Sequence, residues 1–260
     1  MSNAGYPLDA YVIIDNNAIV GICEFCCSKY RDQLFPDVIK PACENIEAIF
    51  NAIRRFSIAN KVFTTPYIYA EFKPEKGELA NHRGFAQSDC EKIKKEVLNQ
   101  IEVVEANMKD IKRIRGMAQT PRGWGENLSG ISDPDLSLFL LALGIANDLN
   151  QRVYILTDEE KLRGFTSWSR TRPEVKEICK HPDKIEALHS MVYLDSVHRK
   201  CAITTDQITQ MFGYRTYQQL TRKMIGGTTI GEMITITYGE IYQMINESSR
   251  IKQEKAMAIA

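Results

Sequence analysis

The sequence predicts an α/β protein, a central and mostly parallel sheet with helices on both sides, followed by a mainly helical C-terminal extension. Three observations lead there. Tyr11 to Ile14 and Arg152 to Thr157 are short runs rich in apolar and strand-forming residues with no alternating polar face, and strands buried on both faces belong to parallel sheets. Such runs alternate with segments of helical spacing, the order of β-α-β units. Acidic residues stand just past the ends of these elements, where open α/β sheets bind their ligands.

In chain order, Tyr11 to Ile14 runs into Asp15, and Ala18 to Tyr30 reads as a helix. Ala42 to Ala59 carries Ile46, Ile49, Phe50 and Ile53 at helical spacing, and Lys61 to Thr65 is a second short strand. Thr65-Pro66 is a cap followed by a residue suited to a first helical turn, and it opens a helix bearing Glu71. Ser88-Asp89-Cys90-Glu91 has the form of a capping box. It opens a long helix with Ile93, Val97, Ile101, Val104, Met108, Ile111 and Ile114 down one face, ending near Gly116. A Gly- and Pro-containing loop runs to Gly130. Ser132 or Asp133 caps the next helix, with Pro134 at its start, and Leu136 to Ala146 is apolar nearly all round and so should be buried. After the strand Arg152 to Thr157, Pro173 to Leu188 looks helical and Met191 to Leu194 reads as a further strand. Thr205 to Met224 holds two short helices around Gly213, and Ile234 to Tyr238 fits strand or helix equally.

The 260 residues suffice for one large domain or a domain with an appendage. With 44% apolar and 25% charged residues the composition is globular, and no apolar run approaches the roughly 20 residues of a membrane span. No secretory leader is expected, and Ser2-Asn3-Ala4 resembles a tag scar. The 33 basic and 33 acidic residues balance, so any nucleic-acid surface must be local. Seven cysteines at irregular spacing argue against a disulfide framework and for a reducing, cytoplasmic setting.

The acids carry the chemistry. Singly, Asp15 could close a turn, Asp133 could cap a helix, Asp135 could suit the helix dipole and Glu71 could be a solvated residue. Converging at one sheet edge they would repel each other, and a hard divalent cation removes that cost. Carboxylates without paired His or Cys ligands suit Mg²⁺ or Mn²⁺ better than zinc.

In the order strand–Asp15, Thr65-Pro66-x4-Glu71, Ser132-x-x-Asp135 before an apolar helix, and Leu156-Thr157-Asp158-Glu159, the chain resembles a PIN domain over roughly residues 11–165. The resemblance implies a three-layer α/β/α sandwich and a Mg²⁺- or Mn²⁺-dependent endoribonuclease. Its acids would be Asp15, Glu71, Asp135 and the Asp158/Glu159 pair. The usual last acid stands two residues after the threonine, here Glu159, yet Asp158 has the shorter side chain that matches the usual geometry and is the preferred ligand of the two. Asn17 falls where polar residues line such sites, and Asp133 is an extra acid divided between cap and ligand. Residues 5–165 would form the nuclease domain, with 88–130 a long helix-and-loop insertion, and residues 166–260 an extension packed on it.

Single-stranded RNA needs cations for phosphates and aromatic rings for bases. Lys161, Arg163, Arg170 and Arg172, with Phe165 and Trp168 among them, follow the last acid; Lys109, Lys112, Arg113, Arg115, Arg122 and Trp124 precede Ser132. A solvated charged face explains such runs equally well. Cys23-x-x-Cys26-Cys27, Cys179-Lys180-His181 and Gly226-Gly227 lack the partners of a metal, redox or phosphate site. Asn17 stands where a haloacid-dehalogenase-type phosphatase would carry its second aspartate. The alternatives are a non-catalytic RNA- or protein-binding module of the same fold and another metal-dependent phosphohydrolase. A protein partner such as an antitoxin, and a homodimer, stay open.

Overall fold

The computed structural model describes residues 9–28, 39–72, 87–119, 131–190, 193, 194 and 197. Among the described residues five strands form one sheet: β1 (Ala10–Ile14), β2 (Ser57–Thr64), β3 (Ile101–Val103), β4 (Val153–Leu156) and β5 (Ile185–Leu188). Their order is β3-β2-β1-β4-β5, and every pairing is parallel. The expected α/β class with a parallel sheet is therefore present. β1 sits in the middle because its run is apolar on both faces: Ala10, Val12, Ile13 and Ile14 are fully buried, as are all four residues of β4.

Helices α1 (Asn16–Ser28), α2 (Ile39–Arg55) and α4 (Gln87–Gln100) belong to the crossovers that build β1 to β3 in one direction. The chain then returns past β1, and α6 (Asp133–Leu149) and α7 (Glu160–Ser169) lead into β4 and β5. Contacts follow that division, α1 and α4 against α2, and α6 against β1, β4 and β5. Right-handed crossovers assign the two groups to opposite faces of the sheet. Phe139 of α6 and Phe165 of α7 meet edge-on at 5.2 Å, a contact that fixes these helices side by side.

Several elements differ from the sequence-based expectation, each for a physical reason. The long helix from Ser88 to Gly116 is three elements: α4, the edge strand β3, and α5 (Ile111–Gln119) after a 3₁₀ turn at Met108–Asp110. Ile101, Val103 and Val104 are β-branched and pair or bond with β2, Val104 N–H donating to the Thr64 carbonyl at 2.8 Å. Their spacing also fits a helical stripe, which hid the strand. The stretch 88–130 expected as an insertion thus contains a strand of the sheet at Ile101–Val103. Ser88 is not a cap either, as α4 already begins at Gln87.

Pro173 to Leu188 is not one helix. Only α8 (Pro173–Lys176) and a 3₁₀ turn (Pro182–Lys184) precede β5, which pairs with β4 over its whole length. The strand expected at Met191 to Leu194 is displaced by β5, and Tyr193 and Leu194 are helical and buried. A domain boundary after residue 165 would cut α7 and remove β5, so the sheet-bearing unit reaches at least Leu188. The expected helices at Thr205 to Met224, the strand or helix at Ile234 to Tyr238, and the packing of Met211, Phe212 and Tyr214 lie outside the described residues.

β2 begins at Ser57, four residues before the expected start. Its pairing with β1 slips from Ala10↔Ser57 to Val12↔Val62, and within that bulge Asn60 has φ 52°, a left-handed conformation Asn tolerates. Among the described residues no helix is long and apolar enough to cross a membrane.

Candidate functional site

The sheet reverses direction at β1, so the carboxyl ends of β1 and β4 flank the crevice where such sheets bind ligands. Asp15 follows β1 directly, its N–H bonded to the Leu156 carbonyl at 2.9 Å, and Thr157 follows β4, its N–H bonded to the Leu188 carbonyl at 2.9 Å. β2 ends beside them, with the Thr64 hydroxyl donating to the Ile14 carbonyl at 2.9 Å. Thr65 then caps the short helix α3 (Pro66–Glu71), accepting from the Ile68 N–H, with Pro66 in its first turn as the sequence suggests.

α6 enters from the other side with a capping box. The Ser132 N–H and hydroxyl both donate to Asp135 Oδ2, at 3.0 and 2.7 Å, and the Asp135 N–H donates back to the Ser132 oxygen at 3.3 Å. One oxygen of Asp135 is thereby committed to the helix end and the other remains for a ligand. Below it, the Thr65 and Ser137 hydroxyls lie 2.7 Å apart and Ser137 donates to the Pro134 carbonyl at 2.6 Å, locking α3 to α6.

These elements bring Asp15, Asp135 and Glu159 together, one carboxylate oxygen of each lying within 4.8 Å of the others. Glu71 stands outside this group of three. It is exposed, yet burial and the neighbouring Asp135 charge raise its pKa, and its own charge is felt at Glu159. Asp15 and Asp135 are almost wholly buried.

Asp158, favoured from sequence over Glu159, points elsewhere. The chain bends at Asp158, just past the end of β4, so the side chains on either side of the bend take different directions. The Thr157 hydroxyl donates to Asp15 Oδ2 at 2.7 Å and accepts from the Glu159 N–H at 3.1 Å, which turns Glu159 toward the acids. Asp158 instead accepts from the Ser190 N–H and hydroxyl. Asp133 is neither cap nor cluster member: Ser132 caps α6, and exposed Asp133 forms an ion pair with Arg115 of α5.

The electrostatics follow from crowding in a dry place. Burial pushes the Asp15 pKa from the ordinary 3.8 up to about 7; the Thr157 hydrogen bond opposes this, while Asp135 and Glu159 add to it. Burial first, then the Asp135 charge, raises Glu159 as well, and Lys161 and Arg163 partly counter it. Lys161 is exposed at the rim, whereas Arg163 is anchored through Nη1 to the Thr157 carbonyl at 3.0 Å. Asn17 is exposed beside them, its Nδ2 3.5 Å from Glu159 Oε2.

Trp168 and Arg170, expected as RNA contacts, lie away from the acids. Trp168 is nine residues past Glu159, about 13 Å along a helix. It packs 6.3 Å from buried Phe165 and carries the Arg172 guanidinium 4.7 Å from its ring centre. Arg170 donates to the carbonyl of Ile185, the first residue of β5, at 3.3 Å. Both therefore belong to the amino edge of the sheet, because α7 runs antiparallel to the strands. Arg113 is paired with Glu177, Lys109 and Lys112 are exposed, and Arg122 and Trp124 lie outside the described residues. Cys23 and Cys179 are core residues.

The sequence reading passed over Tyr67. It is 45% exposed and lies one turn before Glu71 on the same face of α3. The four-residue spacing from Glu71 was the available signal.

The donor set fits a hard divalent cation: three carboxylates close enough to share one ion, with no His or Cys in the group, and the charge of Glu71 felt at Glu159. Comparison with known proteins finds no counterpart, neither a protein-family model nor a curated protein nor a solved structure matching this chain.

Proposed function

We propose that the protein is a metal-dependent endoribonuclease with a PIN-like site. The observation that carries this reading is the convergence of Asp15, Asp135 and Glu159 within 4.8 Å at the sheet's carboxyl edge, on three elements far apart in sequence. The parallel sheet with helices supports the α/β class on which this reading is built, and the three-layer PIN-like form is part of the proposal. Asp15, Asp135 and Glu159 would hold Mg²⁺ or Mn²⁺, with the charge of Glu71 felt at Glu159. When bound, such an ion supplies a nucleophilic water at neutral pH and neutralises charge on the phosphate.

The reaction is hydrolysis, in which a bond from water oxygen to phosphorus forms as the bond to one ribose oxygen breaks. Thr157 holds Asp15 in place for it, and Ser132 holds Asp135. Lys161 at the rim offers a cation to a phosphate. Exposed Glu71 and Tyr67 on α3 suit an extended polymer better than an enclosed small phosphate ester. Tyr67 supplies the ring on which a base stacks, the role Trp168 is too distant to fill.

The test is thermal denaturation with and without Mn²⁺, together with cleavage of a generic single-stranded RNA. Saturating Mn²⁺ at about 100 times its Kd should raise the melting temperature by roughly 5–10 °C, and cleavage should require the ion. A wild type that neither gains stability nor cleaves would leave a binding module. Tyr67→Ala should raise the KM for RNA about fivefold or more with kcat little changed, given a stacking contribution of about 1–3 kcal/mol. Tyr67→Phe should behave as wild type, as should Trp168→Ala. Equal KM values for the wild type and Tyr67→Ala would remove Tyr67 from the substrate path.

A further inference from the structure

Past β5 lies a second cluster, made of Asp158, His189 and Ser190. Asp158 Oδ1 accepts from the Ser190 N–H at 3.0 Å and from the Ser190 hydroxyl at 2.6 Å, and His189 Nδ1 lies 3.3 Å from the same oxygen. An Asp, a His and a Ser side by side suggest an acyl-transfer triad, but the connections are wrong for one. The Ser190 hydroxyl donates to the carboxylate rather than to the imidazole, and Ser190 is 1% exposed, out of reach of a substrate.

The same contacts have a positional consequence. β4 and β5 are in register through Leu156↔Leu188, and one residue later Thr157 N–H still bonds to the Leu188 carbonyl. Asp158 and Ser190 thus lie on neighbouring chain segments that leave the sheet together. Past Thr157 the chain bends, and Glu159 faces Asp15 and Asp135 while Asp158 faces Ser190 and His189. Without an anchor, either of two consecutive acids could turn inward. Three contacts on one oxygen remove that freedom.

We infer that Asp158 is a positioning residue: clamped by Ser190 and His189, it orients the turn after β4 so that Glu159 faces the metal. This rests on the metal-binding reading of the acid cluster. It also reverses the order suggested by side-chain length, in which Asp158 was the ligand. Its role is that of an outer hydrogen-bonded group that holds a ligand's geometry, and loss of such groups weakens metal binding without removing a donor atom.

The experiment uses the full chain with Asp158→Asn, Asp158→Ala, Ser190→Ala and Glu159→Gln, read by melting temperature in EDTA and by the Mn²⁺ concentration at half-maximal stabilisation. Asparagine retains an oxygen that accepts both Ser190 hydrogen bonds, so Asp158→Asn should stay within about threefold of wild type in Mn²⁺ midpoint. Asp158→Ala should shift the midpoint about 10–100-fold upward and lower the melting temperature in EDTA, by stranding the buried Ser190 hydroxyl. Ser190→Ala should move the midpoint in the same direction by less, and it carries the test where Asp158→Ala does not fold. Glu159→Gln should lose the Mn²⁺ response and gain stability in EDTA, since it relieves carboxylate crowding.

A ligand role for Asp158 predicts the reverse pattern, with Asp158→Asn losing the Mn²⁺ response as Glu159→Gln does. That result overturns the inference, and so does a Mn²⁺ midpoint for both Asp158→Ala and Ser190→Ala equal to that of wild type. Should the wild type show no Mn²⁺ response, the nuclease reading fails, and the melting temperatures in EDTA still decide the clamp. A rise in Asp158→Asn equal to that in Glu159→Gln would put Asp158 among the crowded acids and overturn it.

Discussion

Replacing Asp15 with asparagine should raise the stability of the metal-free protein at neutral pH and flatten its pH dependence. The wild-type carboxyl holds its proton in the fold until about pH 7 but releases it near 3.8 when unfolded. Between those values the folded state binds more protons than the unfolded one, so wild-type stability falls as pH rises from about 4 to 7, then levels off. A gap of about three units corresponds to roughly 4 kcal/mol, which Asp15→Asn recovers above pH 7. Thr157 can still donate to the amide oxygen, so the local structure survives. The same change removes a ligand and a charge from the proposed metal site, and Mn²⁺-dependent cleavage should fall below detection. The measurement is the difference in unfolding free energy between wild type and variant across pH 4–8, in EDTA. A difference that stays constant over that range would contradict the crowded, buried carboxyl.

A chain ended after Phe165 should not fold cooperatively. It loses the last turn of α7, then α8 and β5, and leaves β4, buried along its whole length, as an unpaired edge. Val175, Cys179, Ile185, Leu188, Tyr193, Leu194 and Val197 leave the core, and Tyr154 loses the Tyr193 ring 5.9 Å away. At about 1.5–3 kcal/mol for each large apolar side chain, the loss is on the order of 10 kcal/mol, comparable to the whole stability of a domain. Thermal melts followed by near-ultraviolet circular dichroism distinguish the outcomes. A sharp transition in the shortened chain would restore a domain boundary at that point.

The sequence makes the centre of the sheet plain and its margins obscure. β1 and β4 are legible because interior parallel strands need apolar residues on both faces, and Tyr11 to Ile14 and Val153 to Leu156 have no other use. Edge strands carry no such constraint. β3 is three residues long with Glu102 and Val103 exposed, so its composition merges into the helical stripe on either side. β5 contains Glu186 and follows two short helical turns, and nothing in Ile185 to Leu188 marks it until β4 is there to pair with. The candidate site divides in the same way. Asp15, Asp135 and the threonine before the last acids follow from strand ends and a helix start. The choice between Asp158 and Glu159 depends on which way one peptide faces. That is set by Thr157 meeting Asp15 and by Ser190, contacts invisible before the strands are paired. Trp168 and Arg170 looked adjacent to the acids because sequence distance was short, yet a helix carries them to the far edge.

The pairing of β1 with β4 joins residues 142 positions apart, as at Tyr11↔Val153. During synthesis at about 5–20 residues per second, β1 therefore waits on the order of ten seconds or more with one hydrogen-bonding edge open. β2 can close the other side much earlier. For most of that interval the chain has Asp15 but neither Asp135 nor Glu159, so no ion can hold the early segments together. A nascent chain of this kind presents an unpaired apolar strand to its surroundings and depends on being shielded until α6 and β4 emerge. Stalling translation just before Arg152 should thus yield aggregation-prone or chaperone-bound chains, and stalling well after Ser190 should not.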